Sequence, residues 1–237
     1  MKANNSVNTA YDENASRSYD QKRFTSARGL LFNAMEVEQL QKVLFESPPL
    51  GRVLEVGCGT GRFAEIILRT GRSVTGIDPS PYMIEIARNR CCKFRNATFL
   101  KAEGSKLPFA NNKFDFTYSI RVLNQTESEE YALRIVKEII RVTKPGGWIL
   151  IEFCNKWRPR RFGETGVRLS VPQVVSVIKS EDSTARISKR GILFLSETLL
   201  RKTPVKFLGC FQRLDSLFSA LIPCLTARSY IIAQLSD

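Results

Sequence analysis

The stretch RVLEVGCGTGRFAEIILRTGRSVTGIDPS, Arg52 to Ser80, decides how the rest of the chain is read. It opens on an apolar run, RVLEV, interrupted by one acid, Glu55. Three glycines follow at alternate positions, Gly57, Gly59 and Gly61. GRFAEIILRTG then shows helical periodicity and ends at Gly71, and SVTGID is a second apolar run that ends on Asp78. Strand, glycine loop, helix, strand is the unit that turns backbone N–H groups and the positive end of a helix toward an anionic or nucleotide ligand.

The loop is not a P-loop, because no Gly-Lys-Ser/Thr ends it. It also departs from the dinucleotide fingerprint G-x-G-x-x-G/A, because Arg62 stands where the third small residue belongs. Arg62 argues against a nicotinamide oxidoreductase. Glu55 lies inside an apolar strand, where a carboxylate is costly unless bonded or paired. It either braces the loop or reaches a positive group on the ligand. Asp78, at the end of the second strand, suits a pair of ribose hydroxyls. Glu103 and Gly104, after the third, suit an adenine edge. Three successive strand ends aimed at one crevice point to a site more strongly than any one of them.

Outward from this unit the alternation continues. Asn33–Glu46 has helical spacing and stops before Pro48-Pro49. SPYMIEIARNRC is a helix with Ser80 as N-cap and Pro81 at its first position. ATFLKAE and KFDFTYSI are strands. SEEYALRIVKEIIRVTK is an amphipathic helix expected to end at Pro145-Gly146-Gly147, before the strand WILIEF. After Phe153 the pattern weakens: SVPQVVSVIKS and LGCFQRLDSLFSAL read as helices, RGILFLS and ARSYIIAQL as strands. Strands alternating with helices mean a parallel sheet with crossover helices.

The chain of 237 residues has 43% hydrophobic and 25% charged residues, within the globular range. No apolar signal core opens it, and its longest late apolar stretch, SLFSALIPCL, is too short to span a bilayer. The expectation is a cytoplasmic protein. Six cysteines without a Cys-x-x-Cys pair, and no histidine, give no basis for a metal site. The lack of histidine also excludes a Ser-His or Cys-His nucleophile and an imidazole base. The net charge is +13, and Cys154–Asp237 holds fourteen basic and six acidic side chains, densest in KWRPRR. Such a surface attracts nucleic acid, anionic lipid or an acidic substrate, or is simply solvated.

Four segments together resemble the class I S-adenosylmethionine-dependent methyltransferases. VLEVGCGTGRFA is similar to their first motif, and VTGIDPSPYMIEIAR to the ribose-binding strand and helix. KAEGSKLPFANNKFDFTYS is similar to the adenine-contacting loop and fourth strand, and EIIRVTKPGGWILIE to the following helix, turn and strand. The likeness covers Val53–Glu152 and is nearest the small-molecule branch that includes the ubiquinone/menaquinone biosynthesis methyltransferases. YDENASRSYDQKRF resembles the N-terminal lid of that branch. The resemblance implies one α/β domain with a Rossmann-like, doubly wound, seven-stranded, mostly parallel sheet. Residues 1–31 would be the lid, 32–153 the cofactor-binding core and 154–237 the substrate-side part. It implies S-adenosylmethionine as cofactor, with Gly57, Cys58, Gly59, Thr60 and Gly61 near its methionine part, Asp78 and Pro79 at the ribose, and Met83, Glu103 and Gly104 at the adenine. Ser119 would lie near the sulfonium, Glu55 behind the loop, and Tyr19 and Tyr11 over the cofactor.

The sequence departs from the family after the fourth strand. IRVLNQT places Asn124 and Gln125 where many relatives carry a histidine, and the signature of nucleic-acid amino-methyltransferases is absent there. Tyr11, Tyr19 and Glu127 are candidate bases by position alone, so no catalytic residue is assigned. The leading expectation is methyl transfer to a small apolar or anionic acceptor. An RNA- or protein-directed methyltransferase ranks below it, with nucleic acid as partner, as does a cofactor-binding subunit without activity. In the helix around Phe211–Leu221, the face Phe211, Leu214, Leu217, Phe218, Leu221 is expected to pack on the sheet. An apolar substrate wall or a membrane-surface contact is the competing reading.

Overall fold

The computed structural model describes residues 12–47, 51–158, 165–195, 197–222 and 225–237. The seven strands are β1 (Arg52–Val56), β2 (Ser73–Asp78), β3 (Ala97–Lys101), β4 (Phe114–Ser119), β5 (Thr143–Cys154), β6 (Arg186–Ile192) and β7 (Arg228–Gln234). They form one sheet in the order β3-β2-β1-β4-β5-β7-β6. The first five are parallel, while β7 runs antiparallel to both β5 and β6. The strand order reverses between β1 and β4. In an open α/β sheet that switch point leaves a crevice at the carboxyl ends of the strands.

Helices cover both faces. On one face the core joins α3 (Ala27–Glu46), α4 (Arg62–Leu68), α5 (Pro81–Arg90) and α9 (Leu208–Leu221), through side chains such as Leu40, Ile67, Ile84 and Phe211. On the other, α6 (Glu129–Val142) and α7 (Val171–Glu181) close over Leu54, Ile149 and Ile231. The central strands carry apolar residues on both faces because both are covered. Short helices α1 (Glu13–Arg17), α2 (Tyr19–Phe24) and α8 (Glu197–Lys202) complete the described elements.

The expected ends hold where local chemistry sets them. Ser80 accepts from the Met83 N–H with Pro81 in the first turn, and Ser170 with Gln173 closes a full capping box on α7. Three boundaries differ. Helix α3 begins at Ala27, not Asn33, because Ser26 caps it through the Gly29 N–H. Helix α6 stops at Val142, before Pro145-Gly146-Gly147; Thr143 is already extended, its hydroxyl tied to Ile139 and Thr117. The Pro-Gly-Gly segment instead lies within β5, where the register against β4 jumps from Phe114↔Thr143 to Phe116↔Trp148. Strand β6 is Arg186–Ile192, shifted toward the N-terminus of the expected RGILFLS; its residues pair one to one with β7, and Leu193 then turns away with a positive φ of 61°.

Candidate cofactor crevice

The crevice opens at the carboxyl ends of β1, β2 and β4, the place where open α/β sheets bind their ligands. Its floor is the glycine loop. Gly57 adopts a φ of +76°, and a Cβ there would stand 2.2 Å from Val122 Cγ2, so both the turn and the approach of the loop after β4 require glycine. The N–H groups of Gly57 and Cys58 both reach the Ile77 carbonyl at 2.8 Å, which pins the loop to the end of β2. Gly61 has a different task from the one expected. It does not line the crevice, and its missing Cβ would meet Ala87 at 3.0 Å, so it lets α4 pack on α5.

Asp78 lies in the wall, 8% exposed, with Oδ2 accepting the Gly59 N–H and Oδ1 the Ser80 N–H, each at 2.9 Å. Burial raises its pKa to about 6, against the pull of those two N–H groups. Each oxygen keeps a second lone pair for a donor in the crevice. Glu55 is more deeply buried. Desolvation lifts it to about 8, with Tyr118 and Arg62 opposing, and its Oε2 has no hydrogen-bond partner among the described residues. An orphaned carboxylate oxygen in a crevice wall is a place for a cationic ligand group. Cys58 also lines the crevice, but burial drives its pKa far up and keeps it a neutral thiol.

Thr60, Pro79, Met83, Glu103 and Gly104 line the same space, as does Tyr19 from α2. Ser119 does not. It is fully buried and its hydroxyl donates to the Val56 carbonyl at 3.1 Å, tying β4 to β1. Tyr11 lies outside the described residues. Of the two other candidate bases, Tyr19 faces the crevice and Glu127 is exposed outside it.

The structure adds residues that the sequence did not single out. Tyr131 of α6 donates to Glu103 Oε2 at 2.8 Å and holds that carboxylate at the rim. Ile120, Arg121 and Val122 form the wall after β4, together with Gln125, which the sequence had already marked there. Arg121 has a φ of +66°, a conformation costly for a side chain of its size, and its guanidinium meets Glu36 Oε1 of α3 at 3.3 Å. Glu36 Oε2 meets Arg62 at 3.0 Å. Glu152 takes the Arg121 N–H with one oxygen and Arg228 with the other. The aspartate after Tyr19 also matters: Asp20 accepts from the Thr60 hydroxyl of the glycine loop at 3.0 Å and is paired with Arg90. The spacing of Tyr-Asp pairs was visible in sequence; that Asp20 reaches forty residues ahead was not.

Residues 54–151 match the family described as "Methyltransferase domain". A demethylmenaquinone methyltransferase of Tropheryma whipplei is 38% identical over 133 residues, which are 54% of this chain and 53% of that one. A probable tRNA methyltransferase 9B of Mus musculus is 30% identical over 130 residues, 54% of this chain and 28% of that one. This chain thus spans about half the length of the first relative and less of the second. Among solved structures, an S-adenosylmethionine-dependent methyltransferase of Thermotoga maritima, described as a possible histamine N-methyltransferase, superposes with a TM-score of 0.62 at 18% identity over 94% of this chain and 98% of that one. The strand order, the glycine loop and Asp78 belong together with these likenesses: residues 54–151 match the methyltransferase-domain family and resemble its class I, S-adenosylmethionine-dependent members.

Proposed function

We propose that the whole chain transfers a methyl group from S-adenosylmethionine to a small acceptor that carries negative charge near an apolar ring or chain. The observation that carries this is the wall after β4. There Ile120 and Val122 present apolar surface on either side of Arg121, a guanidinium held in place by a strained backbone and a buried carboxylate.

The bound cofactor supplies an electrophilic methyl on a sulfonium with a neutral leaving group, so the protein's task is chiefly alignment. On this reading Asp78 accepts the ribose hydroxyls, Met83 and Glu103 flank the adenine, and Glu55 Oε2 takes the methionine ammonium. Tyr19 and the helices of 12–31 act as the lid, excluding water once Asp20 has latched onto Thr60. The lid, the core of 32–153 and the substrate-side part of 154–237 form one working unit. Arg121 orients a phenolate, enolate or carboxylate of the acceptor; the demethylmenaquinone relative makes an aromatic, quinol-like acceptor the first class to try. A cytoplasmic setting is part of this reading.

Calorimetry with S-adenosylmethionine, followed by release of S-adenosylhomocysteine in the presence of phenolic, quinol and carboxylate acceptors, tests the proposal. Turnover with one of these classes is expected. Asp78→Ala is expected to weaken cofactor binding about 10- to 150-fold by removing charge-assisted hydrogen bonds. Binding without turnover for any acceptor would turn the reading toward a non-catalytic partner subunit. A second reading has its own support in the +13 charge and the tRNA methyltransferase relative. It requires transfer RNA to bind with an affinity that falls steeply with salt and to accept the methyl group.

A further inference from the structure

Adjacent antiparallel strands are usually joined by a turn of about two to five residues. Strands β6 and β7 are instead joined by residues 193–227, an insertion that contains α8 and α9. It leaves the sheet at Ile192 and returns at Arg228, which pairs with Cys154 at the carboxyl end of β5, the edge where the crevice opens.

The inner side of the insertion is anchored. Asp215 of α9 accepts the N–H groups of Leu193 and Leu195, each at 2.8 Å, and the Ser219 hydroxyl. Phe211 is buried, and Phe218 stacks on Phe194. The outer side is not covered. Leu214, Leu217 and Leu221 are 51%, 56% and 68% exposed, at the spacing of one helical stripe. The expectation that this face packs on the sheet is therefore overturned for all but Phe211, because Asp215 and Ser219 turn inward in its place. Val205 and Phe207 just before the helix, and Ile222 and Leu225 just after it, are exposed as well. So many exposed apolar side chains in one short segment mark a contact surface. Among the described residues its exposed charges are Lys202, Lys206 and Arg213, all basic, while the acid Asp215 is buried. Two copies meeting through this face would set those like charges against each other. An anionic bilayer would satisfy both the charge and the exposed apolar side chains.

We propose that the outer face of α9 and its flanking turns docks on an anionic lipid surface, with Leu214, Leu217 and Leu221 at the headgroup–acyl boundary and Lys206 and Arg213 on lipid phosphates. This holds whatever acceptor is methylated.

The test is flotation of the full chain with vesicles of phosphatidylcholine alone and of phosphatidylcholine mixed with phosphatidylglycerol. Co-flotation with the mixed vesicles, weakened by salt, is expected. Leu217→Asp with Leu221→Asp should lower partitioning about 100-fold, and Lys206→Glu with Arg213→Glu about tenfold or more. These side chains are exposed, so thermal unfolding and S-adenosylmethionine binding of both variants should match the wild type. Absence of flotation would overturn the proposal, as would flotation that the two aspartates leave intact. So would a dimer in sedimentation velocity that the aspartates dissolve without any effect on vesicles.

Discussion

Glu55 shows how one residue can link binding to pH. Burial raises its pKa from the ordinary 4.5 to about 8. Between those values the unfolded chain has lost a proton that the folded, cofactor-free protein keeps. This group's contribution to stability is therefore full below about 4.5 and is lost as pH rises to 8. A cationic ligand group beside Oε2 reverses the preference and expels the proton. Cofactor affinity is then expected to fall as pH drops from about 8, and to fall further below about 6, where Asp78 also protonates. Calorimetry in buffers of different ionisation enthalpy checks this: proton release on binding at pH 7 is expected for wild type and should vanish in Glu55→Gln. Urea midpoints of the cofactor-free proteins should show Glu55→Gln gaining on wild type as pH rises from 5 to 8. Proton uptake instead of release would refute the role given to Oε2.

At the scale of elements, Asp215 determines where α9 sits. It is fully buried, and its carboxylate carries the two backbone N–H groups that follow β6 as well as Ser219. These donors have no ladder partner because the chain has just left the sheet. Asp215→Ala should therefore cost on the order of 3 kcal/mol, the sum of two or three unmet buried groups. It should also detach α9 and speed amide exchange at Leu193 and Leu195. Asp215→Asn, which keeps one acceptor, should cost less. Exchange at those two amides that stays unchanged in the alanine variant would mean that α9 is held by its apolar contacts alone. The same element explains the displaced strand: once Leu193 and Leu195 bond to a side chain, RGILFLS cannot continue as a strand past Ile192.

Across the whole molecule, a charge network fastens the N-terminal helices to the sheet. Glu36 of α3 lies between Arg62 at the start of α4 and Arg121 after β4, and Glu152 of β5 lies between Arg121 and Arg228 of β7. Burial works against the charged form of Arg121 and of Arg228, yet the carboxylates outweigh it and both are shifted upward. Phe24 and Phe32 lie against these guanidiniums, Phe24 at 4.4 Å from Arg62 and Phe32 at 5.2 Å from Arg121. Five separated parts of the chain thus close around one largely buried set of charges. Glu36→Gln should leave two largely buried arginines short of a partner and cost about 3–5 kcal/mol in urea unfolding, with weaker cofactor binding as α2 and α3 loosen. A change below about 0.5 kcal/mol, the level of an exposed pair, would mean that water reaches the arginines.

The sequence alone determined the parts whose causes are local. Apolar runs alternating with helical spacing, Ser80 as a cap, and the glycines after an apolar strand were enough for the α/β class, the crevice and much of its wall: Glu55, Gly57, Asp78, Glu103. These are legible because strand ends, caps and tight turns depend on neighbours within a few residues. Only the tertiary structure decided the rest. Gly61 serves helix packing because Ala87 is its neighbour in space. Ser119 turns to Val56, away from the crevice, because β1 lies beside β4. Arg121, Tyr131 and Asp20 enter the site through partners from 28 to 85 positions away. The stripe on α9 looked like core in one dimension, since periodicity reports that a helix is two-sided but not which side meets the protein. That choice was made by Asp215, whose bonds to Leu193 and Leu195 exist only once the sheet is built.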